Sequence, residues 1–338
     1  MTFFPTTMHA LVLTSYTGAS ALELQELPMP QPGPNDVLVK IAAAPINPSD
    51  LMFLQGLYGV HPELPHVAGF EGSGVVVAAG PGLYGHALIG RRVAATSFAG
   101  GTWADYVVCP VTGVVPLLPS VSLPQGAMLF VNPLTAYALV DIARKQGAAA
   151  MVQTAAASSL GRMIVRVCQR FKLPLINIVR REEQVAQLQA LGATHILNSS
   201  TPDFDVQLKA LCRELKATIA VDAVAGALTG RLLAVMPRDT RVYVYGALDL
   251  SAIQLNPGDL IFRNQQVNGF YLGTWVNQQN LAELLRAAVA VQRLMGRDFR
   301  SEVRAALPLT HHARALELYA GDMTGGKVLF MPRSEGEN

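Results

Sequence analysis

MVQTAAASSLGRMIVRVCQRFKLPLINIVRREE, residues 151–183, decides the fold. A short strand-like run ends at Thr154, and five small residues and Leu160 lead to Gly161. SLGRMIVRVCQRF then carries apolar residues at helical spacing, and LINIV returns to a bare apolar run. Strand, loop, helix and strand within about thirty residues make one βαβ unit. The alternation continues: REEQVAQLQALG, HILN, DVQLKALCREL, TIAVDAV, GALTGRLLAVM, RVYVYG. Strands that are apolar throughout rather than alternating belong to a parallel sheet covered on both faces. The expectation is an α/β fold with a doubly wound parallel sheet.

The loop Thr154–Gly161 is the first strand-to-helix turn of the series. A phosphate-cradling loop needs small residues, so that backbone amides and a helix N-terminus can approach a pyrophosphate. Ala155-x-x-Ser158-x-x-Gly161 has the fingerprint spacing, with alanine and serine in place of glycines. Taken alone, the loop reads equally as a helix start capped by serine. The next strand ends on Arg180 and Arg181, nineteen residues after Gly161. An acid there would hold a ribose 2′-hydroxyl, whereas an arginine suits a 2′-phosphate. The arginines therefore favour NADPH over NADH, with Arg180 ahead of Arg181. The other reading is two solvated surface charges, with Glu182 and Glu183 serving the next helix N-terminus.

Outward from this unit, 338 residues exceed what one compact core holds, and two domains are expected. Twenty-six basic residues balance twenty-four acidic ones, which gives no footprint for nucleic acid or an anionic membrane. The first Lys or Arg of the whole chain is Lys40, which argues against a secretory or mitochondrial leader. The uncharged stretch Ser122–Val140 contains two prolines and an asparagine and reads as buried helix, not a membrane span. Cys109, Cys168 and Cys212 are scattered and form neither a disulfide framework nor a metal spacing, in keeping with a reducing cytoplasm. Up to about residue 120 short runs such as DVLVKIAAAPI, GVVVAAG and WADYVVCP, broken by Gly and Pro, indicate a small β-rich module. SVSLPQGAMLFVNPLTAYALVDIARKQG, residues 120–147, reads as one long helix. The expected division is 1–125, 126–275, and a segment 276–338 that returns to the first domain.

Taken together, APINPSD, LQGLYGVHPELPHVAGFEG, GTWADYV, VNPLTAYAL, INIVR and GFYLGTW resemble the medium-chain dehydrogenase/reductase superfamily across nearly the whole chain. They are most similar to its NADPH-dependent 2-enoyl thioester reductases, with quinone oxidoreductases as further relatives. The resemblance implies a GroES-like β-rich catalytic domain followed by a Rossmann domain. Zinc-dependent members carry a Cys in the loop that here reads AAPINPSD, a His in the turn that here reads Gly69-Phe70-Glu71, and a four-Cys lobe. None of these ligands is present, so no metal is expected. The resemblance assigns catalysis to Tyr58, with Trp103 in its pocket. It assigns cofactor contacts to Asn132, to Ala157, Ser158, Ser159 and Leu160, to Arg180, Arg181 and Glu182, to Tyr245, Gly246, Ala247 and Leu248, to Phe270, Tyr271 and Leu272, and to Lys327. It also suggests a homodimer paired through an edge strand at GFYLGTW, although a buried strand explains that segment as well.

The implied chemistry suits a site without metal. Hydride adds to Cβ of an activated alkene, a proton reaches Cα, and the carbonyl needs a hydrogen-bond donor as charge develops on it. A phenol, with an ordinary pKa of about 10, stays protonated at neutral pH and can be that donor. The rival readings are a quinone or unsaturated-ketone reductase of the same build and a nucleotide-binding protein without catalytic duty.

Overall fold

The computed structural model describes residues 5–97, 100–295, 299, 301–323 and 325–332. It divides into two compact units, residues 1–131 with 288–338, and residues 132–287.

The second unit is the one that the opening stretch foretells. Its six-stranded sheet runs His195–Asn198, Leu175–Val179, Met151–Gln153, Ile219–Asp222, Arg241–Val244 and Gln266–Gly269, all parallel. The order reverses at Met151–Gln153, the switch point where such sheets bind ligands beyond the strands' carboxyl ends. Val152, Ile176, Ile178, Ala220 and Val242 are buried and pack against Phe204, Leu208 and Leu232 of the covering helices. Each strand is short because it is covered on both faces and bounded by loops that must reach water.

The first unit contains a seven-stranded sheet built around Asp36–Pro45, which pairs antiparallel with Glu71–Ala79 and Tyr106–Pro110. The last strand, Lys327–Phe330, joins it through Leu329 opposite Pro45 and Phe330 opposite Ala44. A three-stranded sheet, Leu22–Pro28, Thr7–Leu13 and His66–Val67, completes the unit. Divisions at 125 and 275 fall too early. Gln125 exchanges hydrogen bonds with Ser301 inside the first unit, and the helix Leu281–Met295 carries the chain back into it.

Residues 120–147 are not one helix. Ser122 caps a short helix, Leu123–Gly126; a π-turn follows at Phe130–Leu134, and the long helix is Thr135–Lys145. Pro133 lies inside the π-turn, lacks an amide hydrogen, and forces the hydrogen-bond ladder out of register. GFYLGTW is likewise not a strand: pairing stops at Gly269 and a helix runs over Leu272–Gln278. All three cysteines are free and buried, and burial pushes the thiols of Cys109 and Cys212 up to about 12, which makes them inert apolar packing. Among the described residues no helix is long and apolar enough to cross a membrane.

Candidate active site

In the second unit the loop after Met151–Gln153 is built to hold a small, tight turn. Ala155 adopts φ 48°, and Ser158 caps the helix Ser159–Phe171 by accepting from the Gly161 amide at 3.0 Å. Ser159 and Leu160 therefore present the first amides of that helix, which have no intrahelical acceptor. Gly161 is obligatory, because a Cβ there would lie 2.5 Å from the Ala156 carbonyl oxygen. Thr154 fixes the loop from behind: its hydroxyl donates to Asp222 at 2.6 Å and accepts from the Ala223 amide at 2.8 Å. Asn132 reaches the same helix start, its amide 3.4 Å from the Ser159 hydroxyl.

Arg180 and Arg181 are both exposed at the end of Leu175–Val179, but they differ. Arg181 pairs with Glu183 at 2.8 Å, and Glu182 accepts from Asn198 at 3.4 Å. The Arg180 guanidinium has no acid partner among the described residues; only its backbone is bonded, to Gln184 and Ser200. Tyr245 follows Arg241–Val244, anchored by its amide to the Asp222 carbonyl at 2.9 Å. Its hydroxyl is buried with no protein partner among the described residues. Burial and the nearby Asp222 charge hold that phenol above its usual range. Gly246, Ala247 and Leu248 continue the same loop, Leu248 largely exposed, and Phe270 to Leu272 begin beside it with the Phe270 amide on the Val244 carbonyl. A capped helix entrance, an unpaired guanidinium and an orphaned buried hydroxyl at the carboxyl ends of parallel strands fit a nicotinamide dinucleotide.

In the first unit Tyr58 is half-buried, its ring 4.9 Å from that of Phe70. His61 donates to the Gly56 carbonyl at 3.0 Å and Tyr16 to the Pro62 carbonyl at 2.7 Å, which hold the two ends of its loop. His66 packs edge-on against Phe53, and burial lowers its pKa. His61 is an exposed residue of the loop and His66 a half-buried packing residue.

Beneath Phe70 lies a buried polar cluster that sequence reasoning missed. Asp50 accepts the Asn47 amide at 2.7 Å on one carboxylate oxygen and the Phe70 amide at 3.2 Å on the other. Glu71 accepts the Asn47 side-chain amide at 3.0 Å and the Phe130 and Val131 amides at 2.9 Å each. Those two amides are available because the π-turn has broken the helix ladder. Lys327 donates to the Asn47 side-chain oxygen and lies 5.8 Å from the Tyr319 ring centre. Asn47, Asp50 and Glu71 are each 1% exposed and Lys327 is 5% exposed. Desolvation, partly offset by the Asn47 amide and worsened by the Glu71 charge, raises Asp50 to about 7. It also raises Glu71 and lowers Lys327. Two acids face one base, so a proton on Asp50 leaves a balanced Glu71–Lys327 pair. The only local signal was Asn-Pro-x-Asp, which is a helix-capping pattern.

Two expected site residues are placed otherwise. Trp103 is fully buried, donates its indole N–H to the Pro45 carbonyl at 3.1 Å, and packs on Phe330 at 5.0 Å. In this arrangement its indole supports the core behind Gly69. Gly69 passes over it with φ 96°, where a Cβ would lie 2.4 Å from the indole. Lys327 spends its ammonium inside the cluster and offers none to a cofactor. Among the described residues no group of three or more His, Cys, Asp and Glu side chains could hold a metal.

Comparison with known proteins gives the lineage. The model of the alcohol dehydrogenase GroES-like domain matches residues 33–120, and that of the zinc-binding dehydrogenase matches residues 159–290. The chain is 31% identical to the mitochondrial enoyl-[acyl-carrier-protein] reductase of Bos taurus, over 80% of this chain and 74% of that protein. A Mesorhizobium loti protein assigned to the NADPH:quinone reductases is 35% identical, superposes with a TM-score of 0.89, and covers 98% of this chain and 100% of its own. A mycobacterial protein complexed with NADPH is 25% identical with a TM-score of 0.79, over 96% of this chain and all of that one. The chain is an oxidoreductase of the medium-chain dehydrogenase/reductase superfamily.

Proposed function

We propose that this chain is a zinc-independent, NADPH-dependent reductase of activated carbon–carbon double bonds, with 2-enoyl thioesters as its substrate class. The observation that carries the reading is Tyr58, a phenol held on a clamped loop against Phe70, which stands where zinc-dependent members have a histidine ligand. Its support is the similarity to the Bos taurus reductase across most of both chains. In this reading Ala157 to Leu160 receive the pyrophosphate, Arg180 the 2′-phosphate, and Asn132, Tyr245 to Leu248 and Phe270 to Leu272 the remainder. The bound dinucleotide supplies hydride equivalents. Tyr58 donates a hydrogen bond to the thioester carbonyl as negative charge develops there, and its phenol is a candidate source for the proton delivered to Cα.

Quinone reduction is the second reading, favoured by the similarity to the Mesorhizobium loti protein. Initial rates with crotonyl-CoA, a small quinone and an alkenal, all with NADPH, separate the two. The thioester is expected to give the highest kcat/KM, and a quinone preference would replace the proposal with its rival. Loss of a bidentate phosphate contact in Arg180→Ala should raise KM for NADPH about 10–100-fold and leave KM for NADH nearly unchanged. Equal effects on both would defeat the 2′-phosphate assignment.

A homodimer belongs to the same proposal. Gln266–Gly269 is the edge of the parallel sheet, and Ile261, Phe262 and Tyr271 near it are exposed apolar side chains. Native mass spectrometry is expected to show two chains, and a monomer at micromolar concentration would contradict it.

A further inference from the structure

We infer that Asp50 is a positioning residue for Tyr58, its carboxylate fixing the Phe70 backbone and, through the Phe70 ring, the orientation of the phenol. This rests on the role proposed above for Tyr58. Both Asp50 oxygens are committed to backbone amides, one at the start of the helix Pro48–Leu54 that leads into the Tyr58 loop, the other at Phe70. The ionised carboxylate can accept both. Protonation turns one oxygen into a hydroxyl, which must find an acceptor of its own and holds an amide poorly. The two amides belong to the two segments that meet at the Tyr58–Phe70 stack, so the state of Asp50 is transmitted to the phenol across one residue.

The energetics add a pH dependence to this geometry. Asp50 is raised from 3.8 to about 7 by burial. A group raised on folding contributes stability that is fully present below its unfolded value and is lost as pH rises through its folded one. The ionised state therefore destabilises the unit, and it is the state in which both amides are held. An asparagine there would leave Glu71 and Lys327 as a balanced pair, but its amide nitrogen cannot accept, so one of the two backbone amides loses its partner. The charged and titratable groups around Asp50 and Tyr58 are Glu71, Lys327 and Tyr319 at the cluster, with His61, His66 and Tyr16 around the loop. A titration that belongs to any of the other groups survives in Asp50→Asn, which distinguishes it from one that belongs to Asp50.

The test follows ring-carbon-labelled tyrosine by NMR from pH 5 to 9, with the Tyr58 signal assigned by its loss in Tyr58→Phe. In the wild type the signal is expected to shift with a midpoint near 7, and kcat/KM should fall as pH drops through the same midpoint. In Asp50→Asn both titrations should flatten. The Tm of that variant should change less between pH 5 and pH 8 than that of wild type, because the titrating group is gone, while kcat falls several-fold at pH 8. A residue that served only the fold would give lower stability and an unchanged pH profile. A Tyr58 signal that does not move in the wild type overturns the inference without any variant having to fold. Persistence of the titration in Asp50→Asn assigns it to another group and overturns the inference equally. If the ring signal titrates with Asp50 while Tyr58→Phe keeps full turnover, the positioning stands and the catalytic role of Tyr58 falls.

Discussion

Tyr58→Phe is expected to lower kcat/KM for crotonyl-CoA about 10²–10³-fold, the usual loss when one donor to a developing oxyanion is removed. The ring that packs on Phe70 is retained, so the loop, the fold and the affinity for NADPH should be unchanged. The loss should fall on kcat, because the hydrogen bond strengthens only as the thioester oxygen gains charge. Steady-state kinetics with a thermal melt of the same preparation decide it. Unchanged turnover would remove the phenol from the chemistry.

Lys327→Met is expected to destabilise the first unit by about 3–5 kcal/mol, as removal of one partner from a buried charge cluster does. The stem volume is kept, but Asn47 loses its donor and Glu71 faces Asp50 with no cation between them. The sign with pH follows from the raised carboxylates. Their protonation removes the charges, so the defect should be largest at pH 8 and shrink toward pH 5. Denaturant melts at the two pH values measure it. If Lys327→Met were instead fully stable and bound NADPH more weakly, the lysine would be a cofactor ligand after all.

Much of this molecule can be read from its sequence, and what cannot has identifiable causes. The parallel strands are legible because a strand covered on both faces is mostly apolar, as in LINIV and TIAVDAV, whose buried Asn177 and Asp222 are hydrogen-bonded. The 2′-phosphate role of Arg180 stays a proposal: its guanidinium has no acid partner among the described residues, but a solvated surface charge would look the same. The π-turn at Phe130–Leu134 was not legible. Helix periodicity on both sides hides a one-residue shift, and a lone proline does not say whether the helix stops or adapts. The buried cluster is the larger omission. Asn47, Asp50, Glu71 and Lys327 come from three separate elements, and Lys327 is 280 residues from Asn47, so only the tertiary fold assembles them. The full burial of Trp103 escaped for a related reason. Pattern identifies an aromatic as near the site, but not which edge of it the core consumes.

The most direct test of the central claim is the identity of the product. Crotonyl-CoA and NADPH are incubated with the enzyme in D₂O, and the thioester is analysed by mass spectrometry and NMR. The account predicts butyryl-CoA with a single solvent deuterium, at Cα, formed in step with NADPH loss. Unreacted crotonyl-CoA beside rapid quinone-dependent oxidation of NADPH, or solvent deuterium at Cβ, would contradict it.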